Sequence, residues 1–178
     1  MCTTPLLNID KLSTDELWSL YSGVIKKLKE KGQIRTKNIT GERGEYLAIQ
    51  FFNNTPGLPN LIATASGTAN VDAISRNGER YSIKTIMSPN RTTGVLYGMG
   101  TKEKIDESQK FEYLLVVILN DFYELEEIIE IPWLIAIQNL SWHSRMNAYN
   151  LSVRKKLLET ARIVYKNDRQ NIKNQTQS

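Results

Sequence analysis

The sequence predicts an α/β (α+β) domain in which helices flank a mixed central β-sheet. Three observations predict it. A helical pattern with its own start signal opens the chain, and a strong hairpin signal stands near its middle. One long apolar run, 111–119, reads as a strand buried on both faces.

Each element follows from local pattern. Ser13 is an N-cap with Glu16 three residues on, a capping box. Leu17, Leu20, Tyr21, Val24, Ile25 and Leu28 then recur at helical spacing until Gly32, which gives a helix over 13–31. Thr40 or Gly41 opens a second helix, 42–52, stopped by Asn53-Asn54 and Pro56-Gly57. Residues 61–65 form a short apolar strand, and 70–75 and 80–86 are two strands joined through Arg76-Asn77-Gly78-Glu79. Segment 87–100, with Pro89, Gly94, Gly98 and Gly100, reads as a mobile loop, and charged 101–110 as a short helix. After the apolar strand, Asn120-Asp121 turns the chain and 122–131 alternates as a further strand. Pro132 stands where a helix to Gln138 would begin. Leu151, Val153, Leu157, Leu158, Ala161 and Val164 give 151–165 a helical pattern. The predicted order is α-α-β-β-β-α-β-β-α-α in one domain over 1–165, with 166–178 a polar, disordered tail.

Composition narrows the chemistry. With one cysteine, Cys2, and one histidine, His143, the chain excludes an internal disulfide and argues against a Cys/His zinc site. A Ser-His or Cys-His apparatus would have to use His143, whose Trp142-His143-Ser144 setting carries no nucleophile motif. Catalysis, if any, falls to carboxylates, lysine and a hard metal ion. No apolar run approaches the ~20 residues of a membrane span, and residues 1–10 lack a secretory pattern, so a cytoplasmic location is expected.

Charge is unevenly distributed. The net charge is +4, but 145–178 holds eight Lys/Arg against Glu159 and Asp168, while 121–130 holds five acids and no base. A basic end suits phosphates, and it equally suits a solvated helix face. Trp133, Trp142 and Tyr149 are read as core residues rather than a stacking platform for bases.

The informative segment runs from Asn70 to Lys84. A two-residue loop at Asn77-Gly78 would pair Asp72 with Ile83 and put Asp72 and Lys84 on opposite faces. A three-residue loop, with Arg76-Asn77 in a type I turn and Gly78 left-handed in a G1 bulge, shifts the register by one. Asp72, Ser82 and Lys84 then share one face and Val71, Ala73, Tyr81 and Ile83 the other, apolar one. The bulged register buries the cleaner apolar face and is preferred.

An acid on one strand and a residue-x-lysine on the next resembles the PD-(D/E)XK nuclease superfamily, of the type II restriction endonuclease kind. Gly41-Glu42-Arg43-Gly44-Glu45-Tyr46-Leu47-Ala48 resembles the helix that often adds a glutamate there, and 40–119 would supply an α-β-β-β-α-β core. The resemblance implies Asp72 as metal-binding acid and Lys84 as the lysine that orients or activates water. Ser82 departs from the pattern, which usually has Glu or Asp, and a hydroxyl is a poor Mg²⁺ ligand. On helical geometry Glu45 lies at the edge of the packed face formed by Gly44, Leu47, Ala48, Phe51 and Phe52, whereas Glu42 points farther toward solvent.

The catalytic set expected from the resemblance is therefore Asp72, Lys84, Glu45 and Ser82, with Asp72 and Glu45 holding Mg²⁺ or, in substitution, Mn²⁺. Arg43, Thr85, Arg91, Thr92 and Thr93 are candidates for contacting nucleic acid. The implied activity is a DNA endonuclease acting on double-stranded DNA as a homodimer. Dimer contacts are expected near Trp142 or the C-terminal end, and no membrane is involved. Two alternatives stay open: a non-catalytic nucleic-acid-binding module or partner subunit with a degenerate site, and a structure-specific resolvase or repair nuclease.

Overall fold

The computed structural model describes residues 8–65 and 67–167. Cys2 and all but Lys166 and Asn167 of the expected tail lie outside these. Helix α1, Thr14–Glu30, starts on the capping box: Ser13 Oγ accepts the Glu16 N–H, and the Glu16 carboxylate accepts the Ser13 N–H at 2.7 Å. Gly32, at φ +67°, ends it. Helix α2, Ile39–Asn54, begins slightly earlier than its pattern suggests, because Asn38 Oδ1 caps the Gly41 N–H at 3.1 Å.

The sheet has six strands, in chain order β1 (Leu61–Ala63), β2 (Ala73–Ser75), β3 (Arg80–Met87), β4 (Tyr113–Leu119), β5 (Leu125–Pro132) and β8 (Arg162–Lys166). Neighbours in that order are hydrogen-bonded, and every pair is antiparallel except β3 with β4. A separate two-stranded ribbon joins β6 (Leu140–His143) to β7 (Ala148–Leu151). Short helices α3 (Trp133–Gln138) and α4 (Lys155–Leu158) complete the fold, with Pro132 capping α3 rather than opening it.

Both faces of the sheet are covered, so β4 is buried along nearly its whole length. On one face α2 lays Ala48 and Phe52 against Tyr81, Ile83, Leu115, Val117 and Ile128. On the other, Leu114, Val116, Ile118, Ile129 and Ile131 meet Trp133, Tyr149, Leu151 and Leu157. Each fully buried side chain of this size stabilises the fold by about 1.5–3 kcal/mol.

Three expectations about secondary structure need correction. Residues 101–110 form turns rather than a helix, so β3 and β4 are joined without one and the α-β-β-β-α-β order is not reproduced over 40–119. Segment 87–100 is tied down: Thr93 N–H bonds the Leu151 carbonyl at 2.9 Å, Leu96 N–H bonds that of Tyr149 at 2.6 Å, and Leu96 and Met99 are buried. The region 151–165 is split among β7, α4 and β8 rather than forming one helix. Its last part joins the sheet edge because the acids of β5 meet bases on β8. Glu130 stands opposite Arg162 and Glu127 opposite Lys166, each pair at 3.4 Å. The basic end and the acidic run thus partly neutralise each other.

Helix α2 packs closely on β3 at Gly44. A Cβ on Gly44 would run into the Thr85 side chain, and Thr85 Oγ1 is buried with no hydrogen-bond partner among the described residues. Gly44→Ala is therefore expected to cost about 1–3 kcal/mol in urea unfolding, as overpacking does. In a Thr85→Ala background the cost should shrink by more than half. Equal costs in the two backgrounds would show that the contact does not set the helix position.

Candidate active site

The hairpin that carries the site has the bulged register. Ala73 faces Tyr81 and Ile74 faces Arg80; the Gly78 N–H bonds the Ser75 carbonyl at 3.0 Å, and Gly78 sits at φ +88°. Glycine is needed there because a side chain at that φ is strained. Ala73, Tyr81 and Ile83 enter the core under α2, as the alternation requires.

The ladder stops at Ala73, short of the predicted strand start at Asn70. Beyond it the Asp72 side chain does what a backbone acceptor would do. Asp72 Oδ2 takes the Ile83 N–H at 2.6 Å and the Ser82 hydroxyl at 3.3 Å. These bonds fix the carboxylate against β3, and its other oxygen, Oδ1, has no hydrogen-bond partner among the described residues. Ser82 is buried behind it, only 1% exposed, and Lys84 is half-buried one alternation further along.

Glu45 comes to this carboxylate from α2. Both line one cleft of about 160 Å³, together with Arg35, Thr36, Glu42, Thr64 and Val71. Burial, and next the negative charge of Asp72, push the Glu45 carboxyl above the ordinary glutamate range; Arg35 and Lys84 pull it back only in part. Ser82 and Lys84 do not line the cleft, although the Lys84 charge acts on Glu45.

Glu42 differs from its expected place. It does not point to solvent: it is 7% exposed against 25% for the Glu45 side chain, and its carboxylate accepts Arg35 Nε at 2.9 Å. Burial opposes its ionisation, but bonds from Arg35 and Thr36 outweigh that and hold its pKa below the usual value. Arg35 also donates to Glu45 at 2.8 Å, so one guanidinium bridges both helix carboxylates. Sequence reading missed Arg35 and Thr36. The usable signal was an arginine just before a helix carrying two glutamates, but seven and ten residues of separation do not by themselves predict contact.

The expected nucleic-acid contacts scatter. Thr85 Oγ1 is sealed under Gly44, and Thr93 is buried with its hydroxyl accepting the Leu151 N–H, so neither is open to a phosphate. Thr92 shares a hydrogen bond with Ser152. Arg91 is half-exposed and ion-paired with Glu127 at 2.5 Å. Arg43 lies on the outer side of α2, donating to the Tyr123 carbonyl and resting over the Tyr46 ring. Trp133, Trp142 and Tyr149 are packing residues, in edge contacts with Phe111 and with each other, and His143 caps a turn at Met146.

Among the described residues no three His, Cys, Asp or Glu side chains converge as a metal cage. Two carboxylates, one desolvated and repelled by the other, still suit Mg²⁺, which keeps several waters and takes one or two protein carboxylates plus substrate oxygens. No family model matches the chain, and no curated protein matches it either.

The raised pKa of Glu45 has a stability consequence. An acid whose folded pKa lies above its unfolded value weakens the fold at neutral pH, and the penalty disappears once pH falls below the unfolded value. Glu45→Gln is therefore expected to raise the urea midpoint at pH 7, with no gain below about pH 4. A lower midpoint at neutral pH would mean that the Arg35 pair outweighs the repulsion from Asp72.

Proposed function

We propose that this chain is a metal-dependent nuclease that hydrolyses phosphodiester bonds in double-stranded DNA, as the resemblance to PD-(D/E)XK enzymes implies. The observation that carries the reading is the meeting of Glu45 and Asp72 in one cleft, with the Lys84 charge acting on Glu45. Neither the fold alone nor the mild excess of positive charge would be enough.

Glu45 and Asp72 would hold Mg²⁺ or Mn²⁺, which when bound neutralises charge on the phosphate and acidifies water. Asp72 is kept in one orientation by the Ile83 N–H and the Ser82 hydroxyl, so Ser82 is a positioning residue and not a ligand. The Lys84 ammonium adds a positive charge where an attacked phosphate becomes more negative. Arg35 neutralises the helix carboxylates in the resting protein, and its hold on Glu45 would have to relax when a cation arrives.

A second reading, a nucleic-acid-binding protein without catalysis, is favoured by one specific observation. The Arg35 guanidinium already gives Glu45 a cation from within the chain. A site so neutralised needs no metal.

Supercoiled plasmid incubated with Mg²⁺, and separately with EDTA, distinguishes the two. Cleavage is expected only with the metal. Asp72→Ala, Lys84→Ala and Glu45→Gln should each lower the rate by about 10²–10³ or more, as loss of a transition-state electrostatic partner does. Ser82→Ala should cost only roughly tenfold, one hydrogen bond at ~1.4 kcal/mol. Full activity in any of the first three variants would remove that residue from the site. A parent protein that binds plasmid without cutting it would favour the second reading.

A further inference from the structure

The segment between α1 and α2 sets one arginine against two glutamates. On one side of Arg35 in the chain, Ile34 is buried. On the other, the Thr36 hydroxyl accepts the Asn38 N–H at 3.0 Å, so the backbone carrying Arg35 is fixed at both ends. Its freedom lies in the side chain. Glu42 and Glu45 are three residues apart on α2 and therefore project from one side of it. The guanidinium forks between them, with Nε on Glu42 at 2.9 Å and Nη2 on Glu45 at 2.8 Å.

The two contacts are not equivalent. Glu42 is 7% exposed and is held through Nε, the nitrogen at the root of the fork. The Glu45 side chain is 25% exposed and is held only through the tip. Breaking the inner pair would leave a buried carboxylate without a partner, which is the costlier loss. The outer pair can be exchanged, because Glu45 shares a cleft with Asp72 and the two carboxylates together suit a divalent cation. The tip of the arginine also has room to move. Arg35, Glu42 and Glu45 line both the Asp72 cleft and a second hollow of about 250 Å³. That hollow carries Gln33 and Gln50, whose amide oxygens can accept from a guanidinium.

We infer that Arg35 is a built-in competitor for the metal ion, holding Glu45 in the resting chain and releasing it, by pivoting on Glu42, when a divalent cation binds. The inference rests on the metal-dependent reading and adds a means of regulation to it. The guanidinium has to leave Glu45 before a cation gains that carboxylate, so the chain alone holds metal weakly. Substrate oxygens that complete the coordination shell then strengthen the hold. Glu42 is the positioning residue of this device: it touches no metal and keeps Arg35 in the site throughout.

Calorimetric titration of the full chain with Mn²⁺ tests it without reference to cleavage. Arg35→Gln should bind Mn²⁺ roughly tenfold more tightly than the parent, since one charge-assisted bond no longer has to be displaced. Loss of any nearby positive charge would have part of that effect. Arg35→Gln combined with Glu42→Gln separates the two causes, because the net charge is unchanged while Glu45 still loses its arginine. This double variant should also bind Mn²⁺ more tightly than the parent. It leaves no buried carboxylate unpaired at position 42, so it serves even where the single variant fails to fold. In NMR spectra of the parent, the Arg35 Nε–H should stay protected from exchange with water when Mg²⁺ is added, because Glu42 still holds it. Loss of that protection, or equal Mn²⁺ affinity in the parent and the double variant, would overturn the inference and leave the metal site standing. Absence of Mn²⁺ binding at millimolar concentration in the parent and both variants would remove the metal-dependent reading itself, and the inference with it.

Discussion

Everything about the candidate site depends on how near α2 comes to β3. Helix axes normally stand off a sheet by the thickness of the side chains between them. At Gly44 there is none, so the backbone of α2 settles directly on Thr85. Glu45 is the next residue. A larger residue at position 44 would lift the helix, and the Glu45 carboxylate would no longer share a cleft with Asp72. The buried, unbonded Thr85 hydroxyl belongs to the same contact: it is left without a partner because the glycine covers it.

What this proximity creates is an electrostatic conflict that the chain only partly resolves. Asp72 is anchored by two hydrogen bonds and does not retreat. Glu45 cannot fully solvate, and burial together with Asp72 disfavours its charged form. Arg35 relieves the helix side of the conflict but is shared with Glu42, which takes the more buried contact. A purely structural ion pair would be expected to satisfy both partners. Here Glu45, which shares its cleft with Asp72, keeps a raised pKa despite an arginine at 2.8 Å, so the arginine does not fully offset burial and the charge of Asp72.

Much of the fold was legible where its determinants were local. The Ser13–Glu16 box, the Asn77-Gly78 turn and the unbroken apolar run of β4 each carry their signal within a few residues, and each is where the sequence puts it. The hairpin register was legible for the same reason, since alternation of Ala73, Tyr81 and Ile83 against Ser82 and Lys84 admits one register with a clean apolar face. Where partners are distant the reading failed. Residues 162–166 look helical beside Leu157 and Leu158, yet they form a strand because Glu127 and Glu130, more than thirty residues earlier, offer matching charge at the sheet edge. Segment 87–100 looks mobile from its glycines, but β7 supplies the backbone partners that hold it. Glu42 looks exposed on a helical wheel because a wheel contains nothing of Arg35, which approaches from outside the helix.

Ser82 gains a meaning from this packing that the motif alone does not give it. It is 1% exposed and lies against the anchored oxygen of Asp72. A glutamate there would bring a third carboxylate beside Asp72 and Glu45 in a partly desolvated place, a costly arrangement unless a cation were always present. A serine of smaller volume supplies a hydroxyl donor instead, and so supports the negative charge of Asp72 instead of adding to it. The chain thereby tolerates its resting state with Arg35 and the Lys84 charge as counter-ions. Under the nuclease reading the same exchange leaves metal affinity to Glu45 and Asp72 alone. The departure at position 82 and the approach of α2 at Gly44 are then one adaptation: the carboxylate absent from the strand is replaced by one that the helix can deliver only because residue 44 has no side chain.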